Sequence, residues 1–245
     1  MGAAFGFGFL IGPALGGALS LISVHAVAIA GIIVTLINAV AIYTILPESH
    51  KLSLAQEKAF DAEIVATPSV ATILGIPKPL VLLFGVTFIA TLAFSPIQTL
   101  SGQYYTDLFR FTPIDISLVL VVVGISAIFY QGLMIKYVRR YLSEWQMVLM
   151  GFGLLAIAFS QMSMVTAVVW IWPFLALFAI GNGSILPSVA ALIGRTSGDK
   201  LGKYLGLNSS SQSLASIIGP IAGGTLYAIT IRLPFITSAG LFVLA

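Results

Sequence analysis

Apolar residues fall into seven long runs, near 2 to 22, 25 to 46, 79 to 99, 114 to 135, 146 to 165, 168 to 189 and 204 to 229. Each is close to the roughly 20 residues needed to cross about 30 Å of hydrocarbon. An eighth run opens near 233, with 13 residues before the sequence stops. At about 1.5 Å per residue it is too short to span. The runs read as helices, because an open strand in lipid leaves backbone N–H and C=O groups without partners and the two-residue alternation of a barrel strand is missing. The pattern predicts an all-α, polytopic membrane protein of about eight transmembrane helices.

The longest polar interruption, 47 to 78, carries Glu48, Lys51, Glu57, Lys58, Asp61, Glu63 and Lys78. It separates two helices from the six that follow and reads as a linker between unequal parts, 1–46 and 79–245. Leu54, Phe60 and Ile64 suit a surface helix there; an irregular solvated connector is the alternative. With residue 47 in the cytoplasm, Lys51, Lys58, Lys78, Lys136, Arg139, Arg140, Arg195, Lys200 and Lys203 lie inside and only Arg110 and Arg232 outside, a strong positive-inside bias. Local signals agree with these ends. Thr112-Pro113-Ile114-Asp115 supplies a cap, a first-turn proline and a first-turn carboxylate. Trp145, Trp170 and Trp172 stand near span ends as interfacial anchors, and Tyr104, Tyr105 and Phe109 are placed likewise on the outer side.

Composition narrows the chemistry. Only 8% of residues are charged and 59% are hydrophobic, against about 25% charged in an ordinary soluble domain. The net charge of +3 sits in short loops, so nucleic acid is not an expected partner; the lipid bilayer is. Absence of cysteine excludes disulfides and thiolate sites, and His25 and His50 alone make a metal site improbable. Met1 opens directly into apolar sequence without the basic start of a signal peptide, so the first run is expected to be a real span.

One motif occurs twice. Gly12-Pro13-Ala14-Leu15-Gly16-Gly17 returns as Gly219-Pro220-Ile221-Ala222-Gly223-Gly224, 207 residues later, with Gly8 and Ala215 four positions before each Gly-Pro. Small residues at this spacing make a smooth helix face that a neighbour can approach closely in lipid. Pro13 and Pro220 have no N–H for the carbonyls of Phe9 and Ser216, so a local bend is expected. Two such copies point to duplicated helix bundles.

These residues resemble the major facilitator superfamily, and within it the twelve-helix drug/proton antiporters. In that family Gly-x-x-x-Gly-Pro-x-x-Gly-Gly marks the fifth helix, matched by Gly8, Gly12, Pro13, Gly16 and Gly17, while Gly219, Pro220, Gly223 and Gly224 resemble the counterpart in the eleventh. Leu46-Pro47-Glu48-Ser49 looks like the end of the sixth helix. Gly132, Lys136, Arg139 and Arg140 are similar to the degenerate second-half copy of a cytoplasmic loop motif. The resemblance implies that 1–46 is the last two helices of an N-terminal bundle, 47–78 a cytoplasmic linker, and 79–245 a six-helix C-terminal bundle with its last helix truncated. The incomplete bundle is expected to be a fragment. The family's acidic proton site would then lie in earlier helices.

The membrane depth of this chain offers no Asp, Glu, Lys or Arg, the usual mark of an intramembrane functional site. His25 reads as a solvated turn residue and Asp115 as a helix-start carboxylate. Neutral polar residues are more numerous. Thr87, Thr91, Ser95 and Gln98 recur at steps of four, four and three, Ser126 and Tyr130 form a second pair, Asn182 sits between two glycines, and Asn208 and Gln212 share a face. They are candidates for a substrate cavity. Hydrogen bonding across helices, or back to preceding carbonyls, is the equal alternative. Asn38, alone in an apolar helix, reads as interhelical glue. The cations Lys136, Arg139 and Arg140 read either as a cytoplasmic latch or as positive-inside anchors. Gly-Asn-Gly-Ser at 181–184 departs from the nucleophile motif Gly-x-Ser-x-Gly, and neither histidine lies at its depth.

The expected function is secondary active transport, by implication of the resemblance proton-coupled efflux of small hydrophobic or drug-like compounds by alternating access in the plasma (inner) membrane. A non-transporting scaffold, a channel, or an uptake transporter for sugars or other small metabolites remain alternatives. No cofactor and no catalytic set is expected. The partners are lipid, a small-molecule substrate and protons, and the full-length protein is expected to be a monomer.

Overall fold

The computed structural model describes residues 2–45 and 76–245, and every regular element among them is helical. The order is α1 (Gly2–Ser20), α2 (Val24–Ile45), α3 (Lys78–Phe109), α4 (Pro113–Phe129), a π-helical turn (Tyr130–Met134), α5 (Ile135–Tyr141), α6 (Glu144–Ser163), a short 3₁₀ turn (Val168–Trp170), α7 (Ile171–Ser197), a second 3₁₀ turn (Gly198–Lys200), α8 (Leu201–Ile229) and α9 (Leu233–Leu244). Because α5 continues α4, these make eight rods. The linker at 47–75 and Leu46-Pro47-Glu48-Ser49 lie outside the described residues.

Helix ends follow local chemistry. The Thr112 hydroxyl accepts from the Asp115 N–H, and the Asp115 carboxylate accepts the Thr112 N–H at 2.8 Å, with Pro113 opening α4. Ser143 and Gln146 make a second reciprocal cap at α6. At the other end of α3, Arg110 takes the left-handed conformation at φ 59° and returns its N–H to Thr106.

Among the described residues, His25–Ile45, Lys78–Phe109, Pro113–Tyr141, Glu144–Ser163 and Val168–Ser197 are long and apolar enough to cross a membrane. At 29 residues, α8 also has the length, but its first half carries Asn208, Ser209, Ser210, Ser211, Gln212 and Ser213 and is less apolar. The 12-residue α9 does not have the length. Large apolar side chains on the outer faces, among them Leu36, Ile37, Leu149 and Ile221, are more than half exposed. In a membrane chain such faces suit contact with lipid or with further apolar helices.

The rods pack in pairs, α6 with α7, α1 with α4, and α3 with α8, while α9 fills the angle between α6 and α3. Three of these contacts depend on glycine. Gly151 and Gly181 face each other: a Cβ on Gly181 would lie 2.8 Å from Leu155 Cγ and 3.0 Å from the Gly151 carbonyl oxygen. A Cβ on Gly17 would lie 2.5 Å from Ser117 Oγ, and on Gly219 the same distance from Ser95 Oγ. The repeated motif is therefore covered on different faces in its two copies. Gly8, Gly12, Gly16 and Gly224 meet nothing within 4 Å among the described residues, and Gly223 has ordinary contacts with Pro96 and Leu100 at 3.5 Å.

Aromatic rings fill the core between α3, α6, α7 and α9. Phe159 lies within 6.4 Å of Phe174, Phe178, Phe235 and Phe242 by ring centroids. Tyr104 joins this core at 0% exposure, 4.4 Å from Phe235, and its hydroxyl donates to the Met162 carbonyl at 2.7 Å. Tyr105 is 2% exposed. Both residues therefore depart from the interfacial placement expected of them, because α3 runs on to Phe109 and carries them into the bundle. Trp170 and Trp172 do lie half exposed at the start of α7.

Gly181→Ala should lower stability by about 1–3 kcal/mol, the usual range for overpacking a tight contact. Gly153→Ala, on the open side of α6 with nothing within 4 Å of its added methyl, should be neutral or slightly stabilising. Thermal unfolding of both variants in detergent compares them directly.

Candidate functional site

A cavity of about 240 Å³ lies between α3, α4 and α7. Phe94, Ile97, Gln98, Ser101 and Tyr105 come from α3, Val119, Leu120, Val123 and Ala127 from α4, Gln131 from the π turn, and Phe174, Leu175, Phe178, Ala179, Asn182 and Gly183 from α7. These are helical stripes at steps of three and four. Phe94 stacks on Phe178 at 5.5 Å and 16° between planes, and Phe178 on Phe174 at 5.6 Å and 29°, forming one aromatic wall.

The polar part of the lining is neutral. Gln98, Gln131 and Asn182 have no hydrogen-bond partner among the described residues, yet none of their amide atoms is sealed from solvent. Tyr105 is in the same position: its side chain is almost wholly buried, and its unengaged hydroxyl is not. Such groups are free to bond an occupant. A carboxamide both donates and accepts, so it selects for hydrogen-bonding capacity rather than charge. The lining contains no Asp, Glu, Lys, Arg or His, and no group of three metal-ligating side chains occurs among the described residues.

The structure separates the candidate polar residues. Gln98 and Asn182 line the cavity. Thr87 and Asn208 meet each other instead, the Thr87 hydroxyl donating to Asn208 Oδ1 at 2.6 Å across the α3–α8 contact. Ser95 is buried beneath Gly219. Tyr130 is buried with its hydroxyl 2.5 Å from Ser184 Oγ. Thr91, Ser126 and Gln212 are half-buried outside the lining, and Asn38 is exposed on α2. An ideal helix separates Ser95 from Gln98: a step of four advances the face by about 40° and a step of three returns it by about 60°, so Ser95 is turned from the cavity while Gln98 comes back to it. Thr87 lies within about 20° of Gln98 on the same wheel and is set apart only because it meets Asn208 of α8. Gln131, Ser101, Tyr105 and the phenylalanine wall were not among the sequence candidates. The spacings 174–178–182 and 94–98–101–105 could have revealed them as aromatic residues sharing a stripe with polar ones.

Beyond the cavity, on the π turn and α5, Gly132, Lys136, Arg139 and Arg140 are all exposed. Arg195 pairs with Glu144 at 2.5 Å, joining the end of α7 to the start of α6. The Arg195 side chain is 70% exposed, so this pair contributes little to stability.

A family model described as Major Facilitator Superfamily matches residues 1–199 and, in a second alignment, 83–245. Multidrug resistance protein 2 of Bacillus subtilis is 26% identical over 238 residues, covering 96% of this chain and 58% of that protein. The class E tetracycline resistance protein of Escherichia coli is 27% identical over 250 residues, covering 100% and 61%. The quinolone resistance protein NorA of Staphylococcus aureus is 26% identical over 255 residues, covering 98% and 60%. The chain thus spans about three fifths of the length of these curated relatives. The crystal structure of the human organic anion transporter MFSD10 (TETRAN) superposes with a TM-score of 0.74 at 22% identity, over 99% of this chain and 60% of the other, a likeness of fold.

Thr87→Val leaves Asn208 buried without its partner and should cost about 1–3 kcal/mol. A second change, Asn208→Leu, should recover part of that loss, so a double-mutant cycle on thermal stability will show coupling between the two sites.

Proposed function

This chain belongs to the Major Facilitator Superfamily, whose transporters handle small-molecule substrates in the membrane, and from that premise we propose that it exports small hydrophobic or drug-like compounds. The carrying observation is the lining of the cavity: a stacked phenylalanine wall facing carboxamides that have no partner among the described residues. Burial of flat apolar surface supplies affinity, and the amides and the Tyr105 hydroxyl orient whatever polar groups the solute carries. The names of the relatives, multidrug, tetracycline and quinolone resistance proteins, agree with such a substrate. Amides and phenyl rings bind rather than react, which favours transport over catalysis.

In this reading α1 and α2 belong to an N-terminal bundle and α3–α9 to a C-terminal one, with rocking of the bundles exposing the cavity to each side of the plasma membrane in turn. The α1–α4 contact at Gly17 and Ser117 then lies on the interface that slides. Efflux is coupled to protons. Since the lining described above has no titratable carboxylate or imidazole, the coupling proton rides on a group elsewhere in the protein. The transporter works as a monomer.

Energised everted vesicles carrying the full-length protein should accumulate ethidium, tetracycline or a quinolone. Asn182→Ala and Gln98→Ala should each raise the KM for an accepted probe roughly three- to tenfold, the loss expected for one hydrogen bond, with unchanged membrane insertion. A protein that accumulates none of the three probes, or variants with the parent's KM, would remove the basis for this function.

A further inference from the structure

We infer that Tyr130 is a positioning residue for transport, clamping the inner end of the cavity and setting the rotation of the cytoplasmic segment α5. The inference rests on the transporter reading and extends it to a side chain outside the cavity lining. Ser184 Oγ donates its single hydrogen to the Ile180 carbonyl at 2.7 Å. In the 2.5 Å bond between the two hydroxyls the donor is therefore Tyr130. The Tyr130 ring fills the notch left by Gly183, where a Cβ would stand 2.8 and 3.2 Å from two ring carbons. The chain neighbours of both anchor points, Gln131, Asn182 and Gly183, line the cavity.

Tyr130 also begins the π turn, whose closing bond runs from the Ile135 N–H to the Tyr130 carbonyl. A π turn holds one more residue than an α turn and frequently occurs at functional sites. Closing it to an α turn would rotate everything beyond it by about one residue, on the order of 100°. Between Tyr130 and Met147 no residue is buried. The clamp is thus the last buried anchor before Lys136, Arg139 and Arg140, and it sets the direction in which they point. An occupant that shifts Gln131 or Asn182 loads the Tyr130–Ser184 bond, and release of that bond turns α5. This makes the clamp a two-state element that cavity occupancy can bias.

This chain has no cysteine, so once any cysteine elsewhere in the full-length protein is replaced by serine, a single introduced thiol is a unique reporter. In the parent, Tyr137→Cys should label quickly and the half-buried Val138→Cys slowly. Adding Tyr130→Phe, which removes only the hydroxyl, should raise the Val138→Cys rate roughly tenfold relative to Tyr137→Cys, the population shift that loss of one buried hydrogen bond permits. Gly183→Ala, which displaces the ring, should act in the same direction. Ethidium or tetracycline should alter the Val138→Cys rate in the parent and lose that effect in Tyr130→Phe. Unchanged labelling in both variants overturns the clamp. Altered labelling with an intact probe response overturns its role in positioning. A parent that moves no probe but shows the labelling shift sinks the transport reading and leaves the clamp standing.

Discussion

Helices in lipid are not driven together by the hydrophobic effect, because a lipid tail is as apolar as a leucine, so their association depends on how closely backbones can approach. In this protein that approach is made at a few glycines. Gly151 and Gly181 bring α6 and α7 together, Gly219 seats α8 over Ser95, and Gly17 seats α1 against Ser117. Two of the three cavity walls, α3 and α4, are held from behind by α8 and α1, and the third, α7, is held by α6. The space between them follows from these contacts.

Polar side chains divide into two populations under the same constraint. Most hydroxyls satisfy themselves locally, as when Thr99 donates to the Ser95 carbonyl at 2.9 Å and Ser216 to the Gln212 carbonyl at 2.9 Å. Others bridge helices, namely Thr87 to Asn208, Tyr104 to the Met162 carbonyl and Tyr130 to Ser184. An unbonded polar group in hydrocarbon is costly, so an amide left without a protein partner must face water or a ligand. Gln98, Gln131 and Asn182 are such amides, and all three open on one cavity. Polarity alone is therefore a poor guide to the site: a serine or threonine on an apolar helix can be satisfied by its own turn, and the carboxamides of Asn38 and Gln212 lie outside the cavity lining.

The inner end of the cavity has a different character from its walls. There a buried phenol, a serine and a glycine interlock, and the helix widens into a π turn before leaving the packed region. Beyond it the chain has only exposed and half-buried residues until α6 begins to pack at Met147. Walls of stacked rings and close backbones therefore adjoin a segment whose last buried side chain is Tyr130.

Much of the architecture was legible in the order of residues. Runs of about 20 apolar residues dictate helices wherever backbone groups have no water to bond, Thr112 and Asp115 cap where their spacing says they should, and the repeated Gly-Pro motif marks two helices able to pack closely. These are local or one-dimensional properties, so sequence alone determines them. Which polar residues face the cavity was decided only in three dimensions. Thr87 and Gln98 look alike on a helical wheel, yet one meets Asn208 of α8 and the other empty space. Tyr104 and Tyr105 lie near the end of a span, yet the bundle covers both. The π turn at Tyr130 has no signature in hydropathy. Each outcome depends on where a neighbouring helix crosses, which is set by backbone contacts between residues far apart in the chain.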